Sequence, residues 1–345
     1  MKNKKKFNYN MALSIIIDLV IIFCVAHLAI ANVAIGYVFK DSPDDCLREG
    51  ASCNSLITAD FLRKQKEEPV VLSVETVRTP EGPQLIGGYE DPKLEAKSYI
   101  LVEPESKKVL YAKNTEEVLP IASITKLMTA LVFLDNNPGW DTVVQMTAGD
   151  ETEGAVSNFL RGEKVTAKDL FYAMLIGSDN NAAMALSRST GLAEVDFLKA
   201  MNRRAAGIGL ANTYFTDQTG LLRTNVSTAR ELSILALDAF SNEDIRKVSS
   251  MPYFTFRTLD KKISRTVKST NQLLRGIYGS LDYEVLGSKT GHIIESGYNL
   301  VMYVSAKDGR RVLAVILGTM SNPDRFGYMK EIIDWTFENY TWGGK

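Results

Sequence analysis

Ser123 and Lys126 stand three residues apart in Pro120-Ile-Ala-Ser123-Ile-Thr-Lys126-Leu-Met-Thr-Ala-Leu, the one Ser-x-x-Lys of the chain. On a helix that offset puts both side chains on one face, a turn apart. Apolar neighbours desolvate the amine, and desolvation lowers a lysine pKa until it can take a proton from a hydroxyl. A serine at a helix start also has backbone N–H groups at hand to hold a developing oxyanion. The chemistry is acyl transfer by an activated serine. Taken alone, the same four residues equally describe an N-capping serine and a surface lysine.

Two further clusters carry polar groups suited to that chemistry. Ser178-Asp179-Asn180 follows the apolar run Leu170-Phe-Tyr-Ala-Met-Leu-Ile-Gly177. A serine and an amide at a helix end can relay a proton and hold an amide-bearing substrate. Chance matches to Ser-x-Asn are common, as Ser52-Cys-Asn54 and Ser269-Thr-Asn271 show, and a helix-end turn is the plain alternative. Gly287-Ser-Lys289-Thr290-Gly291-His292 ends a strand pattern. Lys289 offers a cation and Thr290 a hydroxyl to a substrate carboxylate, and Gly291 lets a substrate strand come close to the backbone. Alone, this too reads as a solvated strand end.

The elements that must position these residues follow from periodicity. The segments 98–103 and 108–112 are β-rich and flank the turn-like Pro104-Glu-Ser-Lys107, which predicts a hairpin. Helical patterns fill 123–134, 166–176, 182–189, 193–208 and 228–240. Strand patterns return at 285–290, 298–305 and 312–318, and a helical spacing of Phe326, Met329, Ile332, Ile333, Trp335 and Phe337 closes the chain. Strands at both ends with helices between predict an α+β fold. One antiparallel sheet is built from N- and C-terminal strands, with a helical middle region.

Ahead of this catalytic domain, assigned to 94–345, three segments are expected. Residues 1–10 are a basic cytoplasmic start. Residues 11–39 are a transmembrane helix, with 19–39 free of formal charge and long enough to cross roughly 30 Å of hydrocarbon. Lysines before the span and Asp41, Asp44, Asp45 and Glu49 after it put everything beyond residue 40 outside the cell. Ala29-Ile-Ala31 offers the competing reading of a cleaved signal peptide, although the apolar run is long for one. Residues 40–93 read as an extracytoplasmic linker, either free or partly ordered on the domain surface, with a short helix over 58–68 and then Pro69, Pro80, Pro83, Gly87, Gly88 and Pro92. Within it Cys46 and Cys53 are either a local disulfide or two free thiols.

Composition narrows the function further. The hydrophobic share of 45% and charged share of 23% are those of a folded protein, and a net charge of -1 gives no field to gather nucleic acid. With only His27 and His292 present, a histidine-based mechanism has little to draw on. No cysteine–histidine grouping suits a metal, so neither metal nor organic cofactor is expected.

Ser-x-x-Lys, Ser-x-Asn 55 residues on and Lys-Thr-Gly 111 residues after that resemble, in this order, the signature of serine penicillin-recognising enzymes. Tyr99-Ile-Leu-Val-Glu, Met201-Asn-Arg-Arg-Ala-Ala-Gly, Asn225-Val-Ser-Thr-Ala-Arg-Glu-Leu and Ser269-Thr-Asn271-Gln-Leu-Leu extend the likeness over roughly 95–335. It is nearest to the low-molecular-mass D-alanyl-D-alanine carboxypeptidases, serine peptidase family S11. The resemblance implies a β-lactamase/transpeptidase-like fold and removal of terminal D-alanine from peptidoglycan stem peptides outside the membrane. Ser123 is then the acylated nucleophile, Lys126 its base, and Ser178 and Asn180 the proton network. Lys289 and Thr290 bind the terminal carboxylate beside Gly291, and the backbone N–H groups of Ser123 and His292 form the oxyanion hole. β-Lactams acylate Ser123 as substrate mimics, and membrane lipid is a partner only through the N-terminal span.

Departures from the family pattern are Asp179, where a small residue is commoner, Asp217-Gln-Thr-Gly220 for Asn-Pro-x-Gly, and Ser296 for alanine. The family's extra C-terminal domain and C-terminal anchor are also expected to be missing, the N-terminal span taking the anchor's place. Rival readings on this fold are a β-lactamase, which lacks its Glu-x-x-x-Asn loop between 181 and 288, and a D,D-endopeptidase or transpeptidase. A non-catalytic wall-binding scaffold is the rival from another class.

Overall fold

The computed structural model describes residues 82–86, 90–152 and 157–343. The 11–39 span, the 58–68 helix and the Cys46–Cys53 pair lie outside them. Among the described residues no helix is long and apolar enough to cross a membrane.

In chain order, β1 (Gln84–Leu85) precedes the hairpin of β2 (Ser98–Val102) and β3 (Val109–Lys113), and β4 (Leu119–Pro120) follows. A 3-10 turn, Ala122–Thr125, runs straight into α1 (Lys126–Asp135). Next come β5 (Val143–Gln145), β6 (Lys164–Thr166), α2 (Ala167–Ile176), α3 (Asn180–Ser189), α4 (Glu194–Gly207) and β7 (Val226–Ser227). α5 (Ala229–Ser241), α6 (Glu243–Ser249) and the hairpin β8 (Tyr253–Arg257) and β9 (Ser264–Lys268) complete the middle. β10 (Tyr283–Ile293), β11 (Gly297–Ala306), β12 (Arg311–Thr319), α7 (Asn322–Asn339) and β13 (Tyr340–Thr341) end the fold.

The main sheet has the order β10-β11-β12-β2-β3, antiparallel throughout. It joins the first long strands to the last, as the periodicity predicts. Side chains alternate across a strand, and both faces here are buried. Ile100, Val102, Leu313, Val315 and Leu317 enter the core shared with the helical middle. Tyr99, Leu101, Val312, Ala314 and Ile316 enter a second core under α7, with Phe326, Met329, Ile332 and Ile333. α1 runs through the first core with Lys126 to Phe133 all buried, so it reads as apolar all round rather than striped. Helix starts are fixed by side chains: Thr166, Asp179, Thr228, Asn242 and Ser321 each accept an N-terminal amide.

Periodicity misses α6, the β8–β9 hairpin and the two-residue pairings. The end of the 40–93 segment is ordered on the surface of the domain. β1 pairs with β13, Ile86 N–H donates to Asn339 O, and Pro92 and Glu90 carbonyls accept from Tyr111 Oη and Trp335 Nε1. Main-chain pairing of this kind carries no apolar period, which is why the segment reads as a spacer.

Candidate active site

Three elements meet around Lys126. The 3-10 turn carries Ser123, which stays partly accessible, and α1 begins on Lys126, which is fully buried. Lys126 Nζ lies 2.9 Å from Ser123 Oγ, 2.5 Å from Asn180 Oδ1 and 2.6 Å from Thr219 O. Burial pushes its pKa down to about 7, against the opposing pull of the Asp217 and then the Asp179 carboxylate. The Ser-x-x-Lys pair is therefore a hydroxyl beside an amine whose charged form burial disfavours.

Backbone strain sits on either side of this pair. Ala122, next to the nucleophile, has φ 49°, and Ser178 has φ 58°. A non-glycine residue in this region is uncommon and costs on the order of 1–3 kcal/mol, and such strain gathers at functional sites. Gly220, with φ 84°, lets the 217–222 loop press on the turn: a Cβ there would stand 2.0 Å from Ala122 O. Asn225 fastens the loop. Its Oδ1 accepts from the backbone N–H of Thr216 and Asp217, and its Nδ2 donates to Asp217 O and Thr125 Oγ1.

The second cluster ends α2 and begins α3. Ser178 Oγ accepts from Lys289 Nζ at 2.8 Å, while Asn180 faces Lys126. The middle residue, Asp179, turns away. It accepts from Ala182 N–H at the start of α3 and from Asn158 N–H at 2.6 Å, with Ser157 Oγ also in reach.

The third cluster lies on β10, the free edge of the main sheet. A Cβ on Gly291 would come within 3.2 Å of the Ser123 backbone nitrogen and 2.7 Å of Ile121 O, so strand and turn adjoin with only glycine between them. Thr290 Oγ1 is 2.6 Å from Thr270 Oγ1. Lys289 is fully buried, and burial, then the charges of Lys126 and Arg325, push it well below the ordinary lysine range. The sequence reads it as a standing cation. Its amine donates to Ser178 Oγ and Thr290 O, and among the described residues no carboxylate pairs with it. His292 is exposed and sets its ring edge-on to Tyr298 at 3.9 Å between centroids. Among the described residues no hydrogen bond joins its ring to Ser123.

The structure thus brings Ser123, Lys126, Ser178, Asn180, Lys289, Thr290 and Gly291 together, with the exposed His292 next along β10. Sequence reasoning passes over Arg325, whose guanidinium donates to Gly291 O and Asn299 O from behind the strand, and gives no individual role to Thr219, Thr270 and Asn225, which it quotes only within longer segments. Thr219 acts through a main-chain carbonyl, which leaves no mark in a motif. Arg325 is one α7 residue among many and gains meaning only from the fold.

The fold and this site define the class: a serine-type enzyme with a buried lysine beside its serine and a glycine-bearing edge strand. Residues 87–321 match the model of the D-alanyl-D-alanine carboxypeptidase family, peptidase S11, and the chain belongs to that family. It is 33% identical over 242 residues to a D-alanyl-D-alanine endopeptidase of Haemophilus influenzae, covering 69% of this chain and 81% of that one. It is 32% identical over 254 residues to the D-alanyl-D-alanine carboxypeptidase DacF of Bacillus subtilis, covering 71% and 63%. The Streptomyces K15 DD-transpeptidase structure superposes with a TM-score of 0.67 at 28% identity, over 72% of this chain and all of that one. Penicillin-binding protein D2 of Listeria monocytogenes, in its cefotaxime-bound form, gives 0.62 at 30% identity over the same shares.

Proposed function

We propose that this chain removes the terminal D-alanine from D-Ala-D-Ala stem peptides of peptidoglycan through a Ser123 acyl-enzyme. The contact that carries the reading is Lys126 Nζ on Ser123 Oγ, with Asn180 Oδ1 and Thr219 O taking its other two hydrogen bonds. The neutral amine has two hydrogens for those two acceptors, and its lone pair is left facing the serine hydroxyl.

Ser123 Oγ attacks the carbonyl carbon of the penultimate D-alanine and passes its proton to Lys126. The backbone N–H groups of Ser123 and His292 take the charge on the carbonyl oxygen. The C–N bond breaks as the proton moves, through the network of Lys126, Asn180 and Ser178, to the leaving amine. Water then adds to the ester, the C–Oγ bond breaks and Ser123 regains its proton. Lys289 and Thr290 hold the terminal carboxylate, and β-lactams stop the cycle as slowly released acyl-enzymes.

The test joins two readouts on the purified protein: fluorescent penicillin labelling and D-alanine release from a pentapeptide. Stable labelling plus release, both abolished in Ser123→Ala, is expected. Rapid penicillin turnover indicates a β-lactamase, and no labelling a silent scaffold. A D,D-endopeptidase is the second reading, supported by relatives that bear that name. Release of D-alanine without cleavage of cross-linked muropeptides rejects it. We also propose that residues 11–39 hold the domain at the outer face of the membrane. A mature chain lacking 1–31 by intact mass overturns the anchor.

A further inference from the structure

Two departures from the family pattern, Asp217 and Asp179, place carboxylates against the shell of one buried lysine. Asp217 is the more elaborate. Its Oδ1 accepts from Thr219 N–H, Thr219 Oγ1 and Gly220 N–H, each at 2.6 Å, and its Oδ2 from Leu222 N–H at 2.9 Å. The four donors wrap the loop around the carboxylate and turn Thr219 O onto Lys126 Nζ at 2.6 Å. Asp179 stands next to Asn180, which bonds Lys126 directly, and is locked from the other side by Ala182 and Asn158.

We propose that Asp217, seconded by Asp179, is a positioning residue for the reaction: it presents Thr219 O to Lys126 and supplies the negative charge that keeps this buried amine a working base. The inference rests on Ser123 and Lys126 being nucleophile and base. A fully buried amine without such charges falls so far that it holds a proton poorly, and a weak base transfers one slowly. The other groups around Lys126 do not replace them. Ser123 on its own turn and Asn180 on α3 are neutral. Lys289 on β10 and, behind it, Arg325 on α7 bring no negative charge. The two carboxylates are the sole anionic influences on the lysine found among the described residues, and burial alone acts against them.

The experiment is the pH profile of Ser123 acylation by fluorescent penicillin on the whole chain, with melting curves for every variant. Asp217→Asn is expected to move the acidic midpoint down by about one pH unit and to lower the plateau above it by roughly three- to tenfold. Asp179→Asn moves the midpoint the same way by less. Asp282→Asn, an exposed carboxylate far along the sheet with 97% of its side chain accessible, keeps the wild-type midpoint. A change that merely loosens the loop lowers the rate and leaves the midpoint in place. A folded Asp217→Asn protein with the wild-type midpoint overturns the proposal. Where that variant does not fold, an unmoved midpoint in Asp179→Asn overturns it equally. Failure of the underlying reading looks different: Ser123→Ala then still labels, or the wild type does not label at all.

Discussion

At the scale of single residues, the site depends on how many hydrogens one nitrogen carries. Protonated Lys126 has three for its three neighbours and no lone pair for Ser123. Deprotonated, it has two for Asn180 and Thr219 and can receive a third. With its pKa lowered to about 7, acylation rises with pH through neutrality and falls about tenfold per unit below it. A pH series of penicillin labelling rates checks this, and a midpoint in the ordinary lysine range above 10 rejects it. Lys126→Arg keeps a cation but never gives up its proton. It is expected to lose on the order of 10²–10⁴ in acylation rate, measured under the same conditions. Lys289 makes a separate prediction. Its amine has Ser178 Oγ and Thr290 O as partners and, among the described residues, no paired carboxylate. Lys289→Ala should raise KM for a peptide with a free terminal carboxylate far more than for its amidated form, and equal losses would remove the carboxylate role.

At the scale of elements, loops rather than helices set the register of the site, and here the sequence is least legible. The Ser-x-x-Lys, Ser-x-Asn and Lys-Thr-Gly clusters and the five strands of the main sheet are visible as side-chain types and periods. The β8–β9 hairpin is not, because only Phe256 and Val267 of its ten residues are buried. Its place is fixed instead by Arg265, whose fork grips the buried Glu163 at 2.6 and 2.7 Å, 102 residues away in the chain. No local pattern announces a pairing at that separation. The 217–222 loop is similar: Asp217 and Gly220 are singled out by sequence as departure and agreement with a motif, but Gly220 matters by its approach to Ala122 and Asp217 by its hold on the Thr219–Leu222 backbone. Gly220→Ala forces a Cβ into Ala122 O in a conformation that disfavours one. It should cost about 3 kcal/mol or more and abolish labelling even where the protein still melts cooperatively. Asp179→Gly, a change toward the family's commoner small residue, removes the α3 cap and the hold on Asn158. A loss of about 2 kcal/mol by urea unfolding is expected, with faster hydrogen exchange at the Asn158 amide.

At the scale of the whole molecule, the cleft is a seam between the free edge of the sheet and the helical middle, and its stiffness comes from the sheet. α7 and the second core brace the sheet from behind, and the chain preceding β2 braces α7 in turn. Among the described residues of 86–92, three hydrogen bonds cross to the rest of the domain: Ile86 with Asn339, Pro92 with Tyr111 and Glu90 with Trp335. β1 pairs with β13, and Leu94 and Ala96 are buried in the second core. Each bond contributes about 1 kcal/mol net, and Leu94 alone adds about 2 kcal/mol by burial. A chain beginning at residue 97 should therefore be less stable by several kcal/mol than one beginning at residue 77, lowering Tm by roughly 10 °C. The loss lies on the face of the sheet away from Ser123, so the shorter chain, while folded, should acylate at nearly the same rate. Equal Tm values for the two chains would make 77–96 a tether only.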